Sequence, residues 1–491
     1  MLALEAASPH RSAMAQQPPA VELEPQRPTI QDRQAWATAA GIVGANCLET
    51  LYFGPSGAER WRLTNGLEVV LAADPHAGVA AVHVWVRAGS ADEVAGQTGA
   101  AHLLEHLMFK GTKARPAGVF DRELEAHGAN TNAATWLDWT MYHQVVPPQV
   151  VPLVLAMEAD RMVNLHLTVA GVRSELSVVK NERRETIDTD VDGQIAEAMA
   201  RLVHGNSVYA HPVIGWAADL EAMTKDTVLA FYRAHYATGT TAVVVTGTFD
   251  QTTVLREIVK SFGPLPTIAA NKRAPAGQRT VQLTAEVRKT MTIDAAAARL
   301  AIAWPTVALA SADHPALVVL AEALCGGESA RLHRSLVDER KLASSVGCFQ
   351  DETRLQGSFN FIVTLRPGHT AQAALTAVDE AVVALLGSAP LTATEFANAR
   401  HRLTTSHYRQ LANADGRADV LGQTWANCGD LAGYATMWNQ VTKLQLADVQ
   451  AAAKRWLAGS LRAIVLADPP PLPTAKGSRR NGPHVALAKS P

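Results

Sequence analysis

The chain has 491 residues, 48% apolar and 18% charged, with a formal net charge of −2; it is too long for one core and has room for two domains of about 200 residues each. So even a charge balance argues neither for nucleic acid nor for an anionic membrane surface as a partner, and no nucleic acid is expected. No apolar run reaches the roughly 18 residues of a membrane-spanning helix, so no span is expected. Residues Met1 to Pro28 are rich in Ala, Pro, Gln and Glu without a basic stretch followed by an apolar core, so no secretory leader is read there. A soluble protein is expected, with cytoplasm and periplasm both open. Residues 1–57 are read as a partly disordered N-terminal extension, with folding proper starting near Trp61.

Asn65-Gly66 between Trp61–Thr64 and Leu67–Ala72 is a hairpin signal. Val82, Val84 and Val86 then alternate with His83 and Trp85 in a further strand, where His83 is read as a packed strand residue. From Gly99 to Phe109 a mostly apolar helix is expected, carrying His102, Glu105 and His106 in the pattern H-x-x-E-H. Residues four apart share a helix face, so both imidazoles can aim at one point. Zinc takes such nitrogens at about 2.0–2.1 Å and, in catalytic sites, keeps one position open beside three protein ligands. It makes water more acidic, from a pKa of about 15.7 towards about 7, and Glu105 on the same face can take the proton released. The third ligand must come from elsewhere. A second helix, Gly171 to Asp188, offers Glu175 and Glu182 two turns apart on one face; Glu182 is read as the ligand and Glu175 as its support. Glu185, three residues on, meets the same condition, and a purely structural histidine pair is the plain alternative.

The rest of the chain echoes this half. Thr224-Lys225, a helix to Tyr236 and a strand Thr241–Thr246 are matched by Thr442-Lys443, a helix to Trp456 and a strand Leu461–Leu466. The expected fold is therefore α+β: two homologous α/β-layered halves, each a mainly antiparallel sheet packed by helices. The boundaries read are a zinc domain over 58–264, a linker over 265–285, a homologous domain without metal over 286–468 and a disordered tail over 469–491. In the second half the counterpart of the histidine helix, about Pro315 to Leu324, is Ala, Leu and Val around Glu322. With no ligand pair there, one zinc per chain is expected. The four cysteines, Cys47, Cys325, Cys348 and Cys428, are widely spaced and are read as buried free thiols. The tail holds Pro469-Pro-Pro-Leu-Pro473, read as solvated terminus rather than as a polyproline ligand.

Together these motifs resemble the inverzincin zinc metallopeptidases of the pitrilysin/insulinase family, in the short-chain branch that includes mitochondrial processing peptidase and bacterial relatives. The resemblance spans about residues 58 to 468. It rests on His102-Leu-Leu-Glu-His106-Leu-Met-Phe-Lys-Gly-Thr112, on Asn132-Ala133-Ala-Thr135 with Asp138, Thr140 and Tyr142, on Val179-Lys-Asn-Glu182-Arg-Arg, and on His211-Pro-Val-Ile-Gly215. It implies that His102, His106 and Glu182 bind zinc, that Glu105 is the general base and that Glu175 supports the site. It also implies that Asn132 and Ala133 lie on a sheet edge where a peptide substrate adds as a strand. Cys325-Gly-Gly-Glu328 resembles a family loop near the substrate path, and a glycine helix stop explains it equally well.

One departure bears on assembly. Relatives that act alone carry an arginine and a tyrosine seven residues apart after a Ser-Arg-Leu element; here those positions hold Val337 and Ser344. Neither can supply the preorganised donors that steady a developing oxyanion. The resemblance thus implies a zinc endopeptidase subunit whose homologous partner brings the Arg/Tyr pair. Two other readings stand beside it: a self-sufficient homodimer using Arg331 or Arg340, and a non-catalytic core or scaffold subunit.

Overall fold

The computed structural model describes residues 28–53, 57–268, 283–459 and 461–470. The expectations for the N-terminal tail, most of the linker and the C-terminal tail lie outside the described residues. Strands β1 (Ala45–Leu51), β2 (Ala58–Leu63), β3 (Glu68–Ala73), β4 (Ala80–Val86), β5 (Asn130–Thr135), β6 (Thr140–Val146) and β7 (Thr241–Gly247) form one sheet in the order β1-β2-β3-β7-β4-β6-β5. A second sheet, of β8 (Val287–Thr292), β9 (Arg299–Pro305), β10 (Ala343–Gln350), β11 (Ser358–Leu365) and β12 (Ala463–Asp468), runs β10-β11-β9-β12-β8. Reversed, it repeats β3-β7-β4-β6-β5 strand for strand. In each sheet one pair is parallel, β3 with β7 and β8 with β12, and the other pairs are antiparallel. The duplicated pattern in the sequence is thus a duplicated topology.

Strand periodicity explains how the layers close. On β4, Val82 and Val84 join a core with Leu155 of helix Val151–Asn164 and Ile258 of helix Gln251–Phe262. Ala81 and Trp85 alternate to the other face, where helix Ala414–Cys428 of the second half covers them through Ala418, Leu421 and Trp425. Each large apolar side chain so buried stabilises the fold by about 1.5–3 kcal/mol. The fit is close: a Cβ on Gly422 of that helix would come within 2.0 Å of the Trp85 indole nitrogen. The exchange is mutual. Helix Val191–His204 of the first half covers one face of the second sheet, with Ile195, Ala198 and Met199 against Ala301, Ala303 and Val465.

Two expectations are corrected. The fold begins well before Trp61: Thr29 caps helix Ile30–Ala39 in a reciprocal box with Asp32, and β1 pairs with β2 along its length. Trp36 of that helix packs on Trp61, with ring centroids 6.1 Å apart. Nor are all the cysteines buried thiols. Cys325 ends a helix that packs on β10, which carries Cys348, and the two form a disulfide with Cα atoms 5.4 Å apart. Cys47 is buried and free, and Cys428 is free but exposed.

Candidate metal centre

The first-half helix Ala100–Met108 buries Leu103, Leu104, Leu107 and Met108 and turns His102, Glu105 and His106 to its open side. Its start is held from two directions. The buried Glu93 carboxylate accepts from the Gly99 and Ala101 backbone N–H groups at 2.9 and 2.8 Å, satisfying donors that a helix start leaves unpaired. Burial pushes the Glu93 carboxyl up to about 8. The His211–Gly215 segment braces the same end: Thr98 Oγ1 accepts from Trp216 N at 2.8 Å and donates to Asp219 at 2.7 Å. Gly215 takes φ +88° there, and a Cβ on it would meet Thr98 O at 2.4 Å, so glycine alone fits.

The second helix, Val169–Arg183, continues as a wider turn over Arg184–Asp188. Arg183 anchors it, donating to Gly215 O at 2.7 Å and to Glu197 at 2.7 Å. One residue before, Glu182 reaches the histidines: Oε1 lies 3.7 Å from His102 Nε2 and Oε2 lies 3.4 Å from His106 Nε2. Two groups bound tetrahedrally at about 2.0–2.2 Å from one ion stand roughly 3.3–3.6 Å apart, so this donor set fits zinc. Among the described residues, His102, His106 and Glu182 form one of two clusters with the composition and spacing for a metal ion, and Glu185 is in neither. Burial pushes His102 down to about 4, holding the imidazole neutral as a ligand must be. Hydrogen bonding to Glu182 raises His106, and the same contact lowers Glu182.

Glu175 sits behind the histidines, with Oε2 3.7 Å from His106 Nδ1 and Oε1 2.7 Å from Lys110 Nζ. Burial raises the Glu105 carboxyl above the ordinary glutamate value, and its Oε2 accepts from Thr135 Oγ1 at 2.5 Å. Thr135 ends β5, the edge strand that carries Asn132 and Ala133. Asn132 is exposed, and its Oδ1 accepts from the Ala133 N–H at 2.9 Å. Past this edge a mostly apolar pocket of about 540 Å³ opens, lined by Trp136, Leu137, Ile187 and Ile195 on one side and Phe361 and Ile362 on the other.

Sequence reasoning gave no role to Thr135 and Lys110, although both lie inside quoted motifs, and it missed Glu93 altogether. A carboxylate six residues ahead of a helix start is too weak a capping signal to read alone. At the two departures, Val337 is buried and Ser344 Oγ donates to Thr364 O at 3.2 Å.

Comparison with known proteins bears on the family and the fold. The family profile described as insulinase (peptidase family M16) matches residues 68–211, and that described as the peptidase M16 inactive domain matches 222–403. The chain belongs to the M16 peptidase family. An uncharacterized zinc protease of Streptomyces coelicolor is 28% identical over 439 residues, covering 87% of this chain and 94% of that one. A protein named probable mitochondrial-processing peptidase subunit beta, from Schizosaccharomyces pombe, is 31% identical over 236 residues, covering 47% of this chain and 50% of that one. Among solved structures, a protease from Helicobacter pylori superposes with a TM-score of 0.79 at 25% identity, covering 84% of this chain and 99% of that one. The M16 fold, two sheets packed by helices, is therefore common to this chain and its structural relatives, and no helix among the described residues is long and apolar enough to cross a membrane.

Proposed function

We propose that this M16 chain is a zinc-dependent endopeptidase of the inverzincin type, belonging to the short-chain branch, and that it is the metal-bearing subunit of a heterodimer. The observation that carries the reading is the convergence of His102, His106 and Glu182, with Glu105 tied through Thr135 to an open sheet edge. Bound by the three ligands, one zinc supplies the Lewis acidity that polarises a scissile carbonyl and makes water a stronger acid. Glu105 takes the water's proton on its carboxylate and returns it to the leaving amine. Its buried, raised carboxyl suits both steps, because a base that must also act as an acid works best with a pKa nearer neutrality. Glu175 fixes the His106 ring from behind. A peptide strand pairs with β5 at Asn132 and Ala133, displacing the Asn132 side chain from the Ala133 N–H. Its side chains then reach the apolar pocket beyond Trp136.

The heterodimer reading rests on what would stabilise the oxyanion. Arg331 is bound to Glu395 at 2.7 and 2.6 Å and to the carbonyls of Ala389 and Pro390, and Arg340 pairs with Glu380 at 2.8 Å. Both alternative donors are thus engaged within the chain, which supports a homologous subunit bringing an arginine and a tyrosine for that role. The test is peptide hydrolysis with zinc content, for the chain alone and mixed with an Arg/Tyr-bearing homologue. Activity only in the mixture supports the divided site. Full activity alone removes the partner, and a zinc-free chain inactive in both conditions removes the enzyme.

A further inference from the structure

The other cluster with metal-binding composition lies on the opposite face of the first sheet. Tyr142 of β6 packs with the Ala100–Met108 helix, whereas the next residue, His143, points to the face covered by helix Ala414–Cys428. His143 stands directly across from His83 in the β4–β6 register. Asp415 and Asp419, one turn apart near the start of the covering helix, reach down to them. His83 Nε2 is 2.9 Å and His143 Nδ1 is 3.2 Å from Asp415 Oδ1.

Read as a sequence, His83 is a packed strand residue, and packing alone does not account for what surrounds it. Its side chain is fully buried, and its Nδ1 faces Asp419 Oδ1 at 3.6 Å. Neither of those two buried atoms has a hydrogen-bond partner. If neutral His83 donates from Nε2 to Asp415, a bare Nδ1 lone pair is left facing a carboxylate. A cation on Nε2 removes this conflict: the ring proton then sits on Nδ1 and points at Asp419, the carboxylate–histidine–metal relay common behind metal ligands. Two imidazoles and a carboxylate are a donor set suited to zinc, and their ligand atoms all lie within 4.8 Å of one another. Asp415 and His143 are only partly buried, so the cluster is not sealed from solvent.

We propose that His83, His143 and Asp415 form a second zinc site, with Asp419 orienting His83, and that the ion fastens the second-half helix Ala414–Cys428 onto the first-half sheet. Its role is structural, and the chain then holds two zinc ions instead of the one expected from the sequence. The proposal is independent of whether the first centre hydrolyses peptides.

The test loads the full chain with Zn²⁺, removes loose metal by gel filtration and measures bound zinc per chain and thermal melting, with peptide hydrolysis read after mixing with the Arg/Tyr-bearing homologue. Two ions are expected in the native chain. One is expected in His143→Gln/Asp415→Asn, with hydrolysis unchanged, and one in His102→Ala/His106→Ala. Added zinc should raise the melting temperature of His102→Ala/His106→Ala, which leaves the second site as its metal centre, but not after His143→Gln/Asp415→Asn is added to it. Asp419→Asn keeps all three ligands and should weaken the second ion's affinity by roughly 10- to 100-fold. The proposal is overturned if the native chain holds one ion and His102→Ala/His106→Ala holds none while keeping its native circular dichroism.

Discussion

The two halves carry the same five-strand order, yet only one presents the paired histidines. In the first half, helix Ala100–Met108 turns His102, Glu105 and His106 to an open face. Its second-half counterpart, His314–Cys325, is buried almost all round, and its acidic residue, Glu322, is neutralised by Arg402 at 2.6 Å. On the proposed reading, one topology serves as a metal scaffold in one copy and as packing in the other. What separates them is a few side chains and which helix face is left uncovered, so chemistry is assigned from the site and not from the fold.

That contrast can be broken most completely at the ligands. His102→Ala or His106→Ala should remove zinc from the first centre and take peptide hydrolysis to background, measured beside metal analysis. Retained activity would mean the first half is as inert as the second. Glu105→Gln is the sharper cut: first-centre zinc should stay while turnover falls by on the order of 10²- to 10⁴-fold, and near-native turnover would end the general-base role. A smaller effect is expected behind the ligands, where Glu175→Gln should weaken zinc affinity by about 10- to 100-fold, read by competition with a chelator, with turnover recovered at saturating zinc. The smallest belongs to the second half. Arg402→Met removes a partly exposed ion pair and should cost about 1 kcal/mol or less in denaturant unfolding, leaving hydrolysis at the native rate. A large loss of activity there would show that the second copy does more than pack.

Much of this was legible because it was local. The H-x-x-E-H spacing puts two imidazoles on one helix face, and Asn65-Gly66 closes a hairpin whatever the rest of the chain does. The paired helix–strand units also announced the repeat. What escaped was non-local. Glu93 caps the histidine helix only once the chain folds back, and Thr135 meets Glu105 only because β5 runs beside that helix. Cys325 and Cys348 read as distant thiols until a helix end packs on an edge strand. Helix Ile30–Ala39 was missed although its capping box is a short-range signal, because the surrounding composition reads as a tail.

The crossed helices bear on the order in which the molecule can be made. The first sheet ends with β7, but the helix that seals one of its faces begins only at Ala414. At roughly 5–20 residues per second, a ribosome needs on the order of ten seconds or more to cover that interval. Until then Trp85 and Val244 face water or a chaperone. A fragment ending after helix Gln251–Phe262 should therefore be insoluble alone, and rescued when residues 283–470 are co-expressed with it.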